Sequence, residues 1–289
     1  MRRPKMLAIA VVTSIVGVPA IGKTVTPHVG DTYEITMIRE MAQKSSDDST
    51  GSSFDKDTII ERVIDVRDGG TEIEYDLPKS PTNEEAKDWK FPVRVLRPQT
   101  GPLQLLNRAE LEGRVDKWLR AAKWTRDVCG RWLFSWNAFR IECDPQVAVT
   151  TIETFDLSEA DLRDGAPYQE GGALSTGILR KQKASAEGET FVVQMDADPD
   201  AVRRMRAESD VAVSEMLQKP VTIEAALLKR AEETVSGTIS ITFETGPTGV
   251  VRRRTKVTEL RTQTADGHST TETVTQTLER RMISEPVTS

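Results

Sequence analysis

The sequence predicts an α+β fold in which a curved antiparallel sheet, open like half a barrel, wraps over central helices. Three observations carry that expectation. Apolar and polar residues alternate near both ends of the chain, helix-capping signals occupy the middle, and the alternating segments keep a face rich in Thr, Arg and Glu that has to be wet. A parallel sheet covered on both sides would read as continuous apolar runs instead.

The first strand starts near Thr32, where Tyr33, Ile35, Met37 and Met41 alternate with Glu34, Thr36 and Glu40. Lys44 to Ser53 is polar and reads as a loop. Ile59 to Val66 and the run Ile73, Tyr75, Leu77 flank Asp68-Gly69-Gly70, which is a hairpin signal. Pro78 to Asp88 reads as a linker, and Phe91 to Leu96 as a short strand stopped by Pro98.

Asn107 followed by Glu110 reads as a capping box, and Leu111, Val115, Trp118, Leu119 and Ala122 then form one apolar stripe. Asp144-Pro145 and Asp198-Pro199 each place a cap before a proline that a first turn tolerates. The helix after Asp198 is expected to turn Val202, Met205, Val213 and Met216 inward, and Thr222 to cap a further helix through Leu228. Between the Asp144 and Asp198 helices, Leu174 to Gln182 and Phe191 to Met195 flank Glu187-Gly188 as a second hairpin. A three-stranded meander fills 235–283: Val235, Gly237, Ile239, Ile241 and Phe243 share one face, Val250 to Leu260 follows, and Thr270 to Met282 returns with Val274, Leu278 and Met282 inward.

Arg2, Arg3 and Lys5 precede an uncharged apolar run from Met6 to Val18, and Val18, Ala20 and Gly22 are small residues at cleavage positions. Residues 1–22 therefore read as a secretory signal peptide, too short to span a bilayer, and residues 23–289 as one large α+β domain exported to the periplasm. Removing Arg2, Arg3 and Lys5 from 39 basic residues leaves 36 against 45 acidic ones, so a mature charge of −9 would repel nucleic acid. Cys129 and Cys143 are the only cysteines, and an isolated pair in an oxidising compartment reads as a disulfide. That bond requires the chain to double back, most readily at the polar Ser135-Trp136-Asn137.

Catalytic constellations are scarce. His28 and His268 are the only histidines and both read as solvated. Ala173-Leu174-Ser175-Thr176-Gly177 misses the first Gly of a nucleophile elbow, and Ser53-Phe54-Asp55-Lys56 matches S-x-x-K by spacing alone. Asp196, Asp198 and Asp200 resemble half a calcium loop but lack the later Gly and Glu, so they read as helix N-terminal charge. Arg252, Arg253 and Arg254 read as a solvated strand edge. No enzyme activity, cofactor or metal is expected.

Gly30-Asp31-Thr32-Tyr33, Cys129-Gly130, Trp136-Asn137, Glu142-Cys143-Asp144-Pro145 and Val235-Ser236-Gly237-Thr238 resemble the corresponding stretches of an uncharacterised group of exported proteobacterial proteins. That resemblance covers most of the mature chain and implies no activity. In architecture alone, strands at both ends wrapping central helices are similar to the half-barrels of periplasmic lipoprotein carriers. The expected function is non-enzymatic binding of a lipid or other amphipathic ligand inside the sheet, with Trp118, Leu119, Ile239, Ile241 and Phe243 as candidate lining residues. The alternative is an envelope assembly or scaffolding protein whose strand edges pair with a partner protein.

Overall fold

A computed structural model describes residues 27–79, 88–134, 138–157 and 161–283; the expected signal peptide, most of the expected 78–88 linker and the Ser135-Trp136-Asn137 turn lie outside them. The fold is α+β and its main sheet is antiparallel, ten-stranded and not closed. The N-terminal strands are β1 (Thr32–Ser45), β2 (Thr50–Arg67), β3 (Gly70–Asp76), β4 (Val93–Pro98) and β5 (Gln104–Leu105). Helix α1 (Arg108–Ala121), the short hairpin β6 (Trp132–Phe134) and β7 (Ala138–Arg140), helix α2 (Gln146–Glu153) and the small pair β8 (Pro167–Tyr168) and β9 (Gly177–Ile178) follow. The C-terminal half holds β10 (Arg180–Ser185), β11 (Gly188–Asp196), α3 (Pro199–Met216), α4 (Ile223–Arg230), β12 (Thr234–Thr245), β13 (Val251–Gln263) and β14 (Ser269–Met282).

Sheet order β10-β11-β12-β13-β14-β1-β2-β3-β4-β5 shows two meanders joined where the last strand pairs with the first. The β14–β1 register runs from Tyr33 opposite Met282 to Ser45 opposite Thr270. Cross-strand partners share a face, so the register sorts the residues. Inward lie Ile35, Ile59, Ile73, Val93, Val95, Phe191, Val193, Ile239, Ile241, Phe243 and Leu278, all buried in one core with Leu111, Val115 and Leu119 of α1 and Ala148, Val149 and Ile152 of α2. Outward lie Thr36, Thr58, Thr255, Thr273, Thr275 and Thr277, with the Thr36 and Thr58 hydroxyls 3.2 Å apart. Threonine suits that position because its branched Cβ fits the pleat while its hydroxyl stays hydrated.

Several expectations need correction. Lys44 to Ser53 is mostly strand: only four residues turn, with Asp48 at φ 62° and the Asp47 carboxylate accepting from the Ser49 amide at 3.0 Å. Its polarity reflects a hairpin projecting past the core with both faces wet. Asn107 occupies the cap position of α1, yet its side chain caps nothing; its Oδ1 accepts from the Arg94 amide and its Nδ2 donates to the Pro92 carbonyl and Glu110, stitching α1 to the β4 segment. Asp198 and Thr222 do cap α3 and α4, accepting from the amides of Asp200 and Ala225. On α3, Val202 and Ala207 are buried but Met205 and Val213 are half-exposed. The face turned to α4 is instead set by ions: Arg230 donates to Asp210 at 2.7 Å, and buried Glu233 accepts from Arg206 and Arg230. Met282 faces inward by register yet is exposed, because it lies beyond Glu279, the last β14 residue that β13 pairs with.

A buried polar network clamps the seam. Glu61 on β2 is buried and accepts from Tyr75 on β3 at 3.0 Å and from Arg280 on β14. The Arg280 guanidinium lies 3.6 Å from the centre of the Tyr33 ring on β1, and Arg97 on β4 donates to the Tyr75 hydroxyl at 2.9 Å. Burial, then the neighbouring Glu61 charge, pushes the Tyr75 phenol well up, so it remains a donor.

Cys129 and Cys143 form a disulfide with Cα atoms 5.7 Å apart. The intervening chain doubles back through β6 and β7, and the Gly130 amide donates to the Ile141 carbonyl at 2.7 Å. Such a bond belongs to an oxidising compartment.

Two predictions follow from these links. Dithiothreitol should lower the thermal midpoint by several degrees, and the double variant Cys129→Ser/Cys143→Ser should melt like the reduced protein, since closing a loop this short contributes about 2 to 4 kcal/mol. Arg280→Leu leaves the Glu61 carboxylate buried without its cation and should cost about 3 to 5 kcal/mol in denaturant unfolding, most of it recovered in Arg280→Leu/Glu61→Leu.

Candidate functional site

The inner face of the central strands changes character from one side to the other. Successive rows across β11, β12, β13, β14, β1 and β2 read Phe191, Phe243, Arg254, Leu278, Met37, Asp57, then Val193, Ile241, Lys256, Gln276, Arg39, Asp55, then Met195, Ile239, Thr258, Val274, Met41, Ser53. Each row starts apolar and buried on β11 and β12 and ends exposed on β2.

A strap spanning residues 166–179 covers the apolar end. Tyr168 meets Phe243 edge-on at 5.4 Å between ring centres. A Cβ on Gly177 would fall 2.4 Å from Val193, so only glycine lets the strap lie this close. Glu170 then fastens the strap to β13, accepting from Arg254 at 2.6 Å, Lys256 at 2.9 Å and the Tyr168 hydroxyl at 2.8 Å. Burial works to raise the Glu170 pKa, but the Lys256 hydrogen bond, the two cationic charges and the Tyr168 hydrogen bond outweigh it and hold the carboxyl below its ordinary range. Burial pushes the Tyr168 phenol up to about 12. The expected solvated edge at Arg252–Arg254 is thereby corrected: β13 is an interior strand, and alternation turns Arg254 inward onto the strap.

Beyond the strap the floor is left partly open. Met37, Met41, Thr258, Val274 and Gln276 are half-buried, Arg39 is exposed, and the Gln276 amide lies 3.0 Å from the Met37 sulfur across the seam. This stretch of the inner face combines apolar side chains with polar and cationic groups on one surface.

The candidate lining residues come from two elements of one core. Ile239, Ile241 and Phe243 lie side by side on β12, buried beneath the strap, and Leu119 is buried on α1, where Trp118 packs edge-on against Trp124 at 5.7 Å. Helix α1 is anchored at β4 through Asn107 and through Arg114, which donates to the Pro92 carbonyl at 2.7 Å; β4 and β12 are six strands apart in sheet order. Sequence reasoning missed Met37, Met41, Val274 and Gln276 as site residues. Their alternation signalled the strand, but only the sheet order brings β1 beside β14. Glu170 carried no signal.

Ser175 is exposed in the strap, and Ser53 lies on β2 instead of in a loop. The Asp198 and Asp200 side chains are engaged at the start of α3, Asp200 with Arg203 at 2.6 Å, and no group of three or more His, Cys, Asp or Glu poised for a metal occurs among the described residues. An open depression of about 590 Å³ lies between α3 and α4, lined by Asp198, Asp200, Arg203, Arg204 and Leu227 among others. No helix among the described residues is long and apolar enough to cross a membrane.

No family model and no curated protein matches the chain, so the resemblance to an exported proteobacterial group gains no support. Among solved structures, a lipovitellin structure described in terms of lipid–protein interactions is similar at 10% identity and a TM-score of 0.42, over 91% of this chain and 26% of that one. The chain thus spans about a quarter of that protein. Ail, the attachment invasion locus protein of Yersinia pestis, matches at 4% identity and a TM-score of 0.19 over 88% and 100% of the two chains. An outer-membrane channel from Pseudomonas putida F1 matches at 6% identity and a TM-score of 0.21 over 91% and 99%.

The Glu170 clamp yields a pH prediction. Its depressed pKa means its contribution is fully present above the unfolded value of about 4.3 and is lost as pH falls through the lower folded value. Glu170→Gln should cost about 1 to 3 kcal/mol at pH 7 and should flatten the loss of stability that wild type shows between about pH 5 and pH 3, read from denaturant midpoints.

Proposed function

We propose that the protein is a non-enzymatic binding protein of the periplasm that takes a lipid or other amphipathic ligand on the open trough of its inner sheet face. The observation supporting this reading is that the inner face extends past its cover: Met37, Met41 and Val274 continue the apolar surface beyond the strap, half-exposed and beside Gln276, Arg39 and Lys256. A ligand with an apolar body would shield those side chains while its polar end meets the charged rows. The Cys129–Cys143 bond supports the oxidising location. Among the originally expected lining residues, Ile239, Ile241 and Phe243 would form the packed wall behind the trough, and Trp118 and Leu119 would support the fold.

A second reading, an envelope assembly protein acting through strand pairing, draws on the outer edge of β2 at residues 50–59, with which no strand among the described residues pairs.

Native mass spectrometry of protein purified from its oxidising compartment should show a copurified lipid adduct. Met41→Glu and Val274→Glu should each weaken binding of a fluorescent fatty-acid probe by about tenfold or more while leaving the thermal midpoint near wild type. Phe243→Ala should lower the midpoint by the several degrees expected of a core truncation. Absence of both an adduct and probe binding by wild type would overturn the ligand reading.

A further inference from the structure

The long hairpin carries an unfinished edge. β1 pairs with β2 from Thr50 to Arg62, but on its other side β2 meets β3 only from Ile60 onward. Among the described residues no strand pairs with the outer edge of Thr50 to Ile59, and Thr50 to Asp57 are exposed on both faces. Unpaired amides and carbonyls along such an edge are a template for another strand.

The sheet's outermost strand at the opposite end is guarded. β10 has six residues, Arg180, Lys181 and Lys183 among them, and its pairing is irregular between Lys181 and Lys183. Asp164 also occupies the Lys181 amide at 2.9 Å. Charge and a bulge there discourage a partner strand. The β2 edge is longer, shows no irregularity against β1 between Thr50 and Arg62, and has at its middle Phe54, 62% exposed. Polar neighbours on both sides of a protruding aromatic ring suit a small, specific contact.

We infer that this edge pairs with the same edge of a second copy, antiparallel, about a two-fold axis through Phe54. The pleat limits the choice of register, because directly opposed residues must lie on the same face and the sum of their numbers must therefore be even. Centring on Phe54 sets Phe54 against Phe54, Ser53 against Asp55, Ser52 against Lys56, Gly51 against Asp57 and Thr50 against Thr58. The free stretch is used end to end and no like charges meet. Centring on Asp55 opposes two aspartates; centring on Lys56 opposes two lysines and sets Asp55 against Asp57. Centring on Ser53 avoids both conflicts but shortens the pairing to Thr50–Lys56 and leaves each Phe54 opposite a serine. The Phe54 register therefore combines the longest ladder with an aromatic cross-strand pair and acceptable electrostatics. Closure about a two-fold axis ends the assembly at a dimer, with one twenty-stranded sheet running through both copies.

A strand-edge interface is small, so the dimer forms in a concentration-dependent manner. This inference is independent of the ligand reading and gives the strand-pairing reading a partner. Analytical ultracentrifugation of the purified protein from low micromolar up to about 1 mM should show reversible dimerisation. Phe54→Lys should shift the dissociation constant upward by at least about tenfold with an unchanged melting midpoint, and Phe54→Glu should do the same. An equimolar mixture of the two variants should regain the dimer, since lysine then faces glutamate; this recovery distinguishes the Phe54 register from any other contact. A wild type that stays monomeric throughout the range, variants that dimerise as wild type does, or a mixture that fails to recover would each overturn the inference. None of these outcomes bears on probe binding at Met41 and Val274.

Discussion

The pairing of β14 with β1 is the constraint on which the remaining structure depends. It joins segments separated by almost the whole described chain, and neither meander could bury its inner face as well alone. Ile35 and Leu278, both buried, sit on the two sides of that seam. A contact of such sequence separation is entropically costly to form, so local hairpins such as β2–β3 and β13–β14 should assemble before the seam closes. The Glu61–Arg280 pair then reinforces it where a purely apolar contact would leave the register less specified. A charge pair in a core is weak as a source of stability, but its directional hydrogen bonds to Tyr75 and its packing on Tyr33 fit one alignment of strands.

Much of the fold was legible because the relevant signals are local. Alternation at Tyr33–Met41 and Val235–Phe243, the Asp68-Gly69-Gly70 turn, and the Asp198 and Thr222 caps each depend on a few consecutive residues, and each appears where the sequence puts it. Elsewhere, local chemistry serves a distant partner. Asn107 has a capping residue's identity and position, yet a tertiary partner, the Arg94 amide, claims its oxygen. Met205 and Val213 have inward-looking spacing, but the Arg230–Asp210–Glu233 network chooses which face of α3 is turned inward. Lys44 to Ser53 looked like a loop because a strand with two wet faces shows no alternation.

The candidate site was less legible than the fold for the same reason. Ile239, Ile241 and Phe243 face inward as period-two patterning requires. Whether an inward position is covered depends on the strap, whose placement rests on Gly177 and on the Glu170 contacts with Arg254 and Lys256. Those contacts span more than eighty residues of sequence and leave no periodic trace. Met37 and Val274 illustrate the converse: ordinary strand residues become a candidate surface only because their row extends past the cover.

The seam also gives the molecule a direction. Because Tyr33 lies opposite Met282, the chain enters β1 and leaves β14 at neighbouring points, roughly 5 Å apart as paired strands are, while the turns at Asp47 and Asp266 meet at the far end through Ser46 and His268. Anything attached before Thr32 and anything attached after Met282 would emerge side by side, like two leads from one socket. A tether to a surface through either end would point both hairpin tips away from it. Joining the two ends through a short linker and reopening the chain at Asp266-Gly267 would place β14 ahead of β1 while retaining every strand neighbour, so the sheet has a natural circular permutant built into its connectivity.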